Sequence, residues 1–119
     1  RLGVLPTAFF CANDIMALGC IEALGDLGLS VPGDVSVVGY NDVELARHMR
    51  PPLTSCRVPN HELGQRAVEM LIDMGLSGRQ HRAMTGKLEC PLVERASVAP
   101  CRRSEPAAPP ADRKRRAAR

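Results

Sequence analysis

Four short polar side chains stand where they could hold a small ligand. The runs Phe9-Phe10-Cys11-Ala12-Asn13-Asp14 and Val35-Ser36-Val37-Val38-Gly39-Tyr40-Asn41-Asp42 each read as a buried strand that breaks off into Asn and Asp. In open parallel sheets ligands bind just beyond such strand ends, so Asn13, Asn41 and Asp42 form one candidate group. Asn60, after a third strand-like segment, is a further candidate. Primary amides suit polyols, because one planar group accepts from one hydroxyl and donates to the next. Structural alternatives stand beside these roles. Asn13 and Asn60 are natural helix N-caps, and Asp42 could cap the turn or short helix that follows it. Tyr40 could stack on a sugar face or, by strand alternation, turn into the core.

The elements that must position these residues follow from period and punctuation. Thr7 to Cys11 reads as a short buried strand, and Asn13-Asp14 supply capping side chains for a helix that runs to about Leu27 and stops at Gly28. On a helical wheel the apolar residues of that helix cover roughly two-thirds of the circumference, leaving Gly19, Glu22 and Asp26 as a narrow polar stripe. One sheet cannot cover so much apolar surface. The helix is therefore either packed deep in a larger domain or shared with a second partner such as another subunit. Ser30 to Asp34 is a turn, and the β-branched run from Val35 to Gly39 suits a strand buried on both faces, which makes a right-handed βαβ unit.

Glu44 to Met49 can form a short helix before Pro51-Pro52 stops it. Leu53 to Arg57 reads as a strand, and a helix follows from Asn60 to about Met74. Its one-sided stripe of Leu63, Ala67, Met70, Leu71 and Met74 opposes Glu62, Arg66, Glu69 and Asp73, with Glu62 and Arg66 as a favourable i,i+4 pair. Gly75 to Arg82 is a polar loop, and Lys87 to Arg95 alternates enough for a final strand or two. The fold class is α/β, with parallel strands and flanking helices.

Phe9 to Gly19, Val35 to Asp42 and Pro51-Pro52-Leu53-Thr54, in this order and spacing, resemble the "AND..ALG", "DVSVVGYDD" and "PPLT" segments of the LacI/GalR family of bacterial transcriptional regulators. The resemblance lies in that family's effector-binding domain and covers Pro6 to about Pro100. It implies an incomplete piece of the periplasmic-binding-protein-like (type I) fold, in which two α/β subdomains enclose a ligand cleft. The two strands ending at Asn13 and Asn41 would belong to the C-terminal subdomain, Leu53 to Arg57 would cross, and the helix after Asn60 would lie in the N-terminal one. Asn13 matches a position that touches the effector, and Asn60 matches a cleft position. Asn41 takes the first acidic place of the family's Gly-aromatic-Asp-Asp segment, where the carboxylate commonly grips two hydroxyls. An amide there removes a charge and disfavours a cationic effector. The first helix lies at the family's dimer interface, so the resemblance implies that Ala17, Leu18, Ile21 and Leu24 face the other protomer, with Met49 as a second contact. Met16, Cys20, Ala23 and Leu27 are left for the sheet.

Composition narrows the remaining classes. The chain of 119 residues carries a formal charge of +3, unevenly placed: residues 1–95 hold nine Lys/Arg against eleven Asp/Glu, and residues 96–119 hold seven against two. The basic, Ala- and Pro-rich 96–119 segment is expected to be a disordered tail, with non-specific nucleic-acid binding as the alternative. Cys11, Cys20, Cys56, Cys90 and Cys101 form no CxxC pair and are odd in number, which fits a reducing cytoplasm. His48, His61 and His81 are too scattered for a metal site. Neither a signal peptide nor a long apolar span is evident. No GxSxG elbow, HExxH helix, Gly-rich phosphate loop or Cys-His nucleophile pair supports an enzyme or a cofactor.

The expectation is thus that residues 1–95 are the C-terminal portion of an effector-binding and dimerisation domain. It would sense a small neutral sugar-like ligand as a cytoplasmic homodimer without membrane contact. Operator DNA would be bound only through an N-terminal helix-turn-helix domain that this sequence does not include. Two other readings are a periplasmic-type sugar-binding protein of a transporter and a non-functional gene fragment. A lone βαβ unit leaves a sheet face uncovered, so the isolated chain is expected to be marginally stable or to aggregate.

Overall fold

Val35, Val37 and Leu53 are fully buried, and the strands and helix around them form the core. The computed structural model describes residues 6–76 and 85–101. Its elements are β1 (Ala8–Phe10), α1 (Asp14–Asp26), β2 (Ser36–Asn41), a 3-10 turn (Glu44–Arg47), β3 (Thr54–Arg57), α2 (Asn60–Leu76) and β4 (Leu92–Val93). The strands make one sheet in the order β1-β2-β3-β4, parallel across the first two pairings and antiparallel at the last. The expected βα β order and parallel pairing of the first two strands are present, and Leu53 to Arg57 joins the same sheet alongside β2.

Helix α1 starts where Asn13 Oδ1 accepts a hydrogen bond from Met16 N at 2.8 Å. It ends in a Schellman turn: Gly28, at φ +74°, donates to Gly25 O and Leu29 donates to Leu24 O. Its roll about its axis is opposite to the expectation. Ala17 and Leu24 are buried in the chain's own core, Leu18 and Ile21 are half-buried against it, and Met16, Ala23 and Leu27 are exposed. Only Cys20, of the residues assigned to the sheet, packs toward the core. Asp14 explains the phase. This first helical residue is buried against the sheet, and positions three, seven and ten further on, Ala17, Ile21 and Leu24, then fall on the same side. Met49, 4% exposed, also belongs to the core together with Ala17 and Leu24.

The face of the sheet away from α1 is different. Among the described strands β1 lies at the edge, and Phe10 is 66% exposed, meeting Tyr40 edge to face at 6.4 Å. Exposed Leu92 lies beside Cys56 on that side. Tyr40 therefore lies half-buried on the face away from the core, one residue before the end of β2, and its hydroxyl is 3.7 Å from Cys90 Sγ.

Two boundaries move. Gly75 and Leu76 continue α2, and the rest of the expected loop, residues 77–84, lies outside the described residues. Residues 96–99 are part of the fold instead of a tail. Ser97, fully buried, donates through Oγ to Val37 O and accepts there from Thr54 N, while its carbonyl accepts from Val37 N. One serine thus fills the gap between β2 and β3 with backbone-like hydrogen bonds, which a composition argument could not reveal. The remainder of the tail, residues 102–119, lies outside the described residues.

In α2 the expected Glu62–Arg66 pair forms at 2.7 Å. Leu63 N donates to Pro59 O, which makes Pro59 the N-cap residue and Asn60 the first helical one. Of the expected stripe, Leu63, Ala67 and Leu71 are exposed and Met70 and Met74 half-buried, and Val68 and Ile72, outside it, are exposed as well.

Candidate functional site

Because β1, β2 and β3 run parallel, their carboxyl ends share one edge of the sheet. Asn13 follows β1, Asn41 ends β2, and Arg57 ends β3 directly across from Asn41. Asn13 uses its carbonyl as the helix cap, which leaves its amide N–H₂ without a partner among the described residues. The half-buried Asn41 carboxamide likewise has no partner among them.

Asn41 is held in place by its backbone. Asn41 and Asp42 both lie in the left-handed region, at φ +102° and +52°. Asn and Asp tolerate this conformation better than other residues with a Cβ, but such positions persist only where surroundings enforce them. The enforcing group is Asp14, 1% exposed. Its Oδ1 accepts from Ser55 Oγ at 2.6 Å, and Ser55 Oγ in turn accepts from Asp42 N at 3.1 Å. Its Oδ2 accepts from Val43 N at 2.8 Å. A carboxylate at the start of α1 therefore clamps both backbone N–H groups that follow Asn41.

The Asp42 carboxylate is taken up by two arginines, and it caps no helix. The N-cap of the 3-10 turn is Val43, without a side-chain cap. The Asp42 side chain is 2% exposed and lies between two guanidiniums: Arg57 Nη2 is 2.7 Å from Oδ2, and Arg95 Nη2 is 2.6 Å from Oδ1. Arg57 Nε also donates to Oδ2 at 2.7 Å. The Arg95 contact is ionic, because its N–H axes are not aligned on Oδ1. Burial alone pushes the Asp42 carboxyl up, but the contacts and charges of Arg95 and Arg57 outweigh it and hold it below the ordinary carboxylate value.

A pH dependence follows. A carboxyl with a depressed folded pKa contributes stability that is present above its unfolded pKa and is lost as pH falls through the folded value. Urea midpoints of the intact protein should show wild type losing its advantage over Asp42→Asn below about pH 4, the unfolded carboxylate range. A gap that stays constant down to the acid limit would contradict the pairing.

Asn60 is exposed on the first turn of α2, in a shallow groove with His61, Gly64 and Gln65, and shares no hydrogen bond with Asn13, Asn41 or Asp42. Another concavity, lined by Thr7, Pro32, Ser36 and Ala99, is at the amino end of the strands, away from the Asn pair. Among the described residues no three His, Cys, Asp or Glu side chains converge as a metal site needs. Burial, with the neighbouring Cys20, pushes the Cys11 thiol up and keeps it neutral.

Asp14, Ser55, Arg57 and Arg95 are the site residues that pattern reading missed. Asp14 looked like part of a cap, and nothing in the spacing of Arg95, 53 positions after Asp42, announces a contact.

The sequence matches the periplasmic binding protein-like domain family over residues 1–98. It is 47% identical over 94 residues to the HTH-type transcriptional repressor PurR of Proteus mirabilis (strain HI4320), covering 79% of this chain and 27% of that protein. Among solved structures it is similar to the transcriptional regulator CelR–cellobiose complex, at 36% identity and a TM-score of 0.70, over 76% of this chain and 28% of that one. It is also similar to the Lac repressor dimer bound to operator and the anti-inducer ONPF, at 39% identity and a TM-score of 0.68, over 81% and 33% of the two chains. The chain thus spans about a quarter of the length of the curated relative, 27%.

Proposed function

Since the chain belongs to the periplasmic binding protein-like domain family and corresponds to part of the effector-binding domain of a LacI-family transcriptional regulator, we propose that its strand ends sense a small neutral, sugar-like effector. The observation that carries this reading is the pair of carboxamides, Asn13 and Asn41, left with unused hydrogen-bonding capacity on one sheet edge. Two amides offer alternating donors and acceptors and no net charge, which matches adjacent hydroxyls better than it matches a cation. The protein is a regulator and not a catalyst. It works in the cytoplasm as a homodimer, and operator DNA is read by a helix-turn-helix domain of the intact protein. Effector binding shifts the balance between two arrangements of the subdomains and so changes DNA affinity. No helix among the described residues is long and apolar enough to cross a membrane.

In the dimer, half-buried Leu18 together with exposed Ile15 supplies the apolar contact of α1.

A thermal-shift screen of the intact protein with cellobiose, ribose and adenine tests the reading. Adenine is included because an Asn carboxamide can also pair with the donor–acceptor edge of that base. A sugar is expected to bind, and Asn41→Ala is expected to weaken it by about tenfold, the worth of one or two lost hydrogen bonds. Unchanged affinity in that variant would remove the end of β2 from the site.

A further inference from the structure

Two stretches of chain connect the sheet to α2. The outgoing one is β3, which leaves through Val58-Pro59; the returning one is β4, which pairs back onto β3. Among the described residues helix α2 packs extensively on no other element, and these two stretches, its tethers, join it to the sheet. Asp42 touches both. Its carboxylate binds Arg57 at the end of β3 and Arg95 just past β4. Arg95 is itself fastened to the start of the outgoing tether: Nη1 donates to Leu53 O at 2.6 Å and its backbone N donates to Thr54 Oγ1 at 2.9 Å. All of this lies one residue from Asn41.

We propose that Asp42 is a positioning residue that locks the outgoing and returning tethers to the ligand-presenting end of β2, so that a displacement of Asn41 moves both tethers as one unit. The transmission step rests on Asn41 contacting the effector, as proposed above. The physical argument is that one carboxylate stands between two guanidiniums. Without it the largely buried Arg95 and the more exposed Arg57 repel, and each tether loses its common reference. A carboxylate that merely filled space would leave the two arginines independent of each other.

Hydrogen exchange on the intact protein, without any added ligand, tests the lock. The Arg57 N–H, bonded to Pro91 O, and the Ala96 N–H, bonded to Pro52 O, report on the tethers. The Cys11 N–H, bonded to Val38 O between β1 and β2, is the reference. Asp42→Asn is expected to lower protection at Arg57 and Ala96 by about tenfold, in keeping with the cost of leaving the largely buried Arg95 unpaired, and to spare Cys11. Arg57→Gln and Arg95→Gln should be non-additive in wild type and additive in Asp42→Asn, where Arg95→Gln still loses its bond to Leu53 O. A uniform fall at all three amides, no change, or additive arginine effects in both backgrounds would overturn the lock. If Asp42→Asn does not fold, Arg95→Gln decides alone: it should loosen the Arg57 amide, and a protected Arg57 would overturn the proposal. Because no ligand is used, this result is separable from the Asn41→Ala affinity test. A failure there with the exchange pattern intact would remove the effector from the scheme and leave the tether lock standing.

Discussion

Asp14→Ala should lower the stability of the intact protein by about 3 kcal/mol, seen as an earlier urea midpoint with an unchanged slope. The carboxylate is 1% exposed and accepts from Ser55 Oγ and Val43 N. Alanine strands both donors in a place water does not reach, and an unsatisfied buried donor costs about 1–3 kcal/mol. The loss extends to the turn, because the Ser55 hydroxyl that accepts from Asp42 N would no longer be oriented by its own acceptor. Two residues in left-handed backbone would then lack what enforces them. Helix α1 keeps its Asn13 cap, so helical circular dichroism at low denaturant should be unchanged. A loss below about 1 kcal/mol, within the range of an ordinary solvated hydrogen bond, would mean that Asp14 does not organise the turn.

Gly39→Ala is expected to cost about 2–3 kcal/mol, the upper part of the range for overpacking a filled core. A Cβ at Gly39 would run into Asp14 Oδ1 and would lie 2.7 Å from Leu53 Cδ2. Neither neighbour can retreat cheaply: Asp14 is held by two hydrogen bonds and Leu53 is fully buried. The requirement at Gly39 is close approach, since its side of the sheet must admit the Asp14 carboxylate. Gly19→Ala, with open space around its Cβ on the exposed side of α1, is the matched control. If both variants unfolded at the same urea concentration, the contact of Asp14 with β2 would be wrong.

Much of the architecture could be read without coordinates. The Asn13 cap, the stop at Gly28, the strand before Asn41 and the Glu62–Arg66 pair all depend on residues within a few positions of one another. The facing of α1 could not be read the same way. A helix apolar around most of its circumference has no unique buried side, and its phase follows the buried Asp14, whose partners Val43 and Ser55 lie 29 and 41 positions away. The tail boundary failed for a similar reason: Ser97 looks like loop composition until its hydroxyl is found bridging β2 and β3. Asp42 resembled a cap or a ligand group, and its two arginine partners lie 15 and 53 positions downstream.

What the sequence determined by itself was the class of fold, the family, the order of the elements, and the placement of Asn13 and Asn41 at the carboxyl ends of their strands. These rest on local periodicity, capping chemistry and motif order, all of which are written along the chain. Tertiary structure alone decided which side of α1 meets the sheet, which strand-end groups keep free hydrogen-bonding capacity, and which are consumed by partners. The Asp14–Ser55–Asp42 relay and the Arg57–Asp42–Arg95 cluster exist only once parallel strands bring their carboxyl ends to one edge. Buried charges and hydroxyls choose partners by proximity in space, and no period along the chain carries that information.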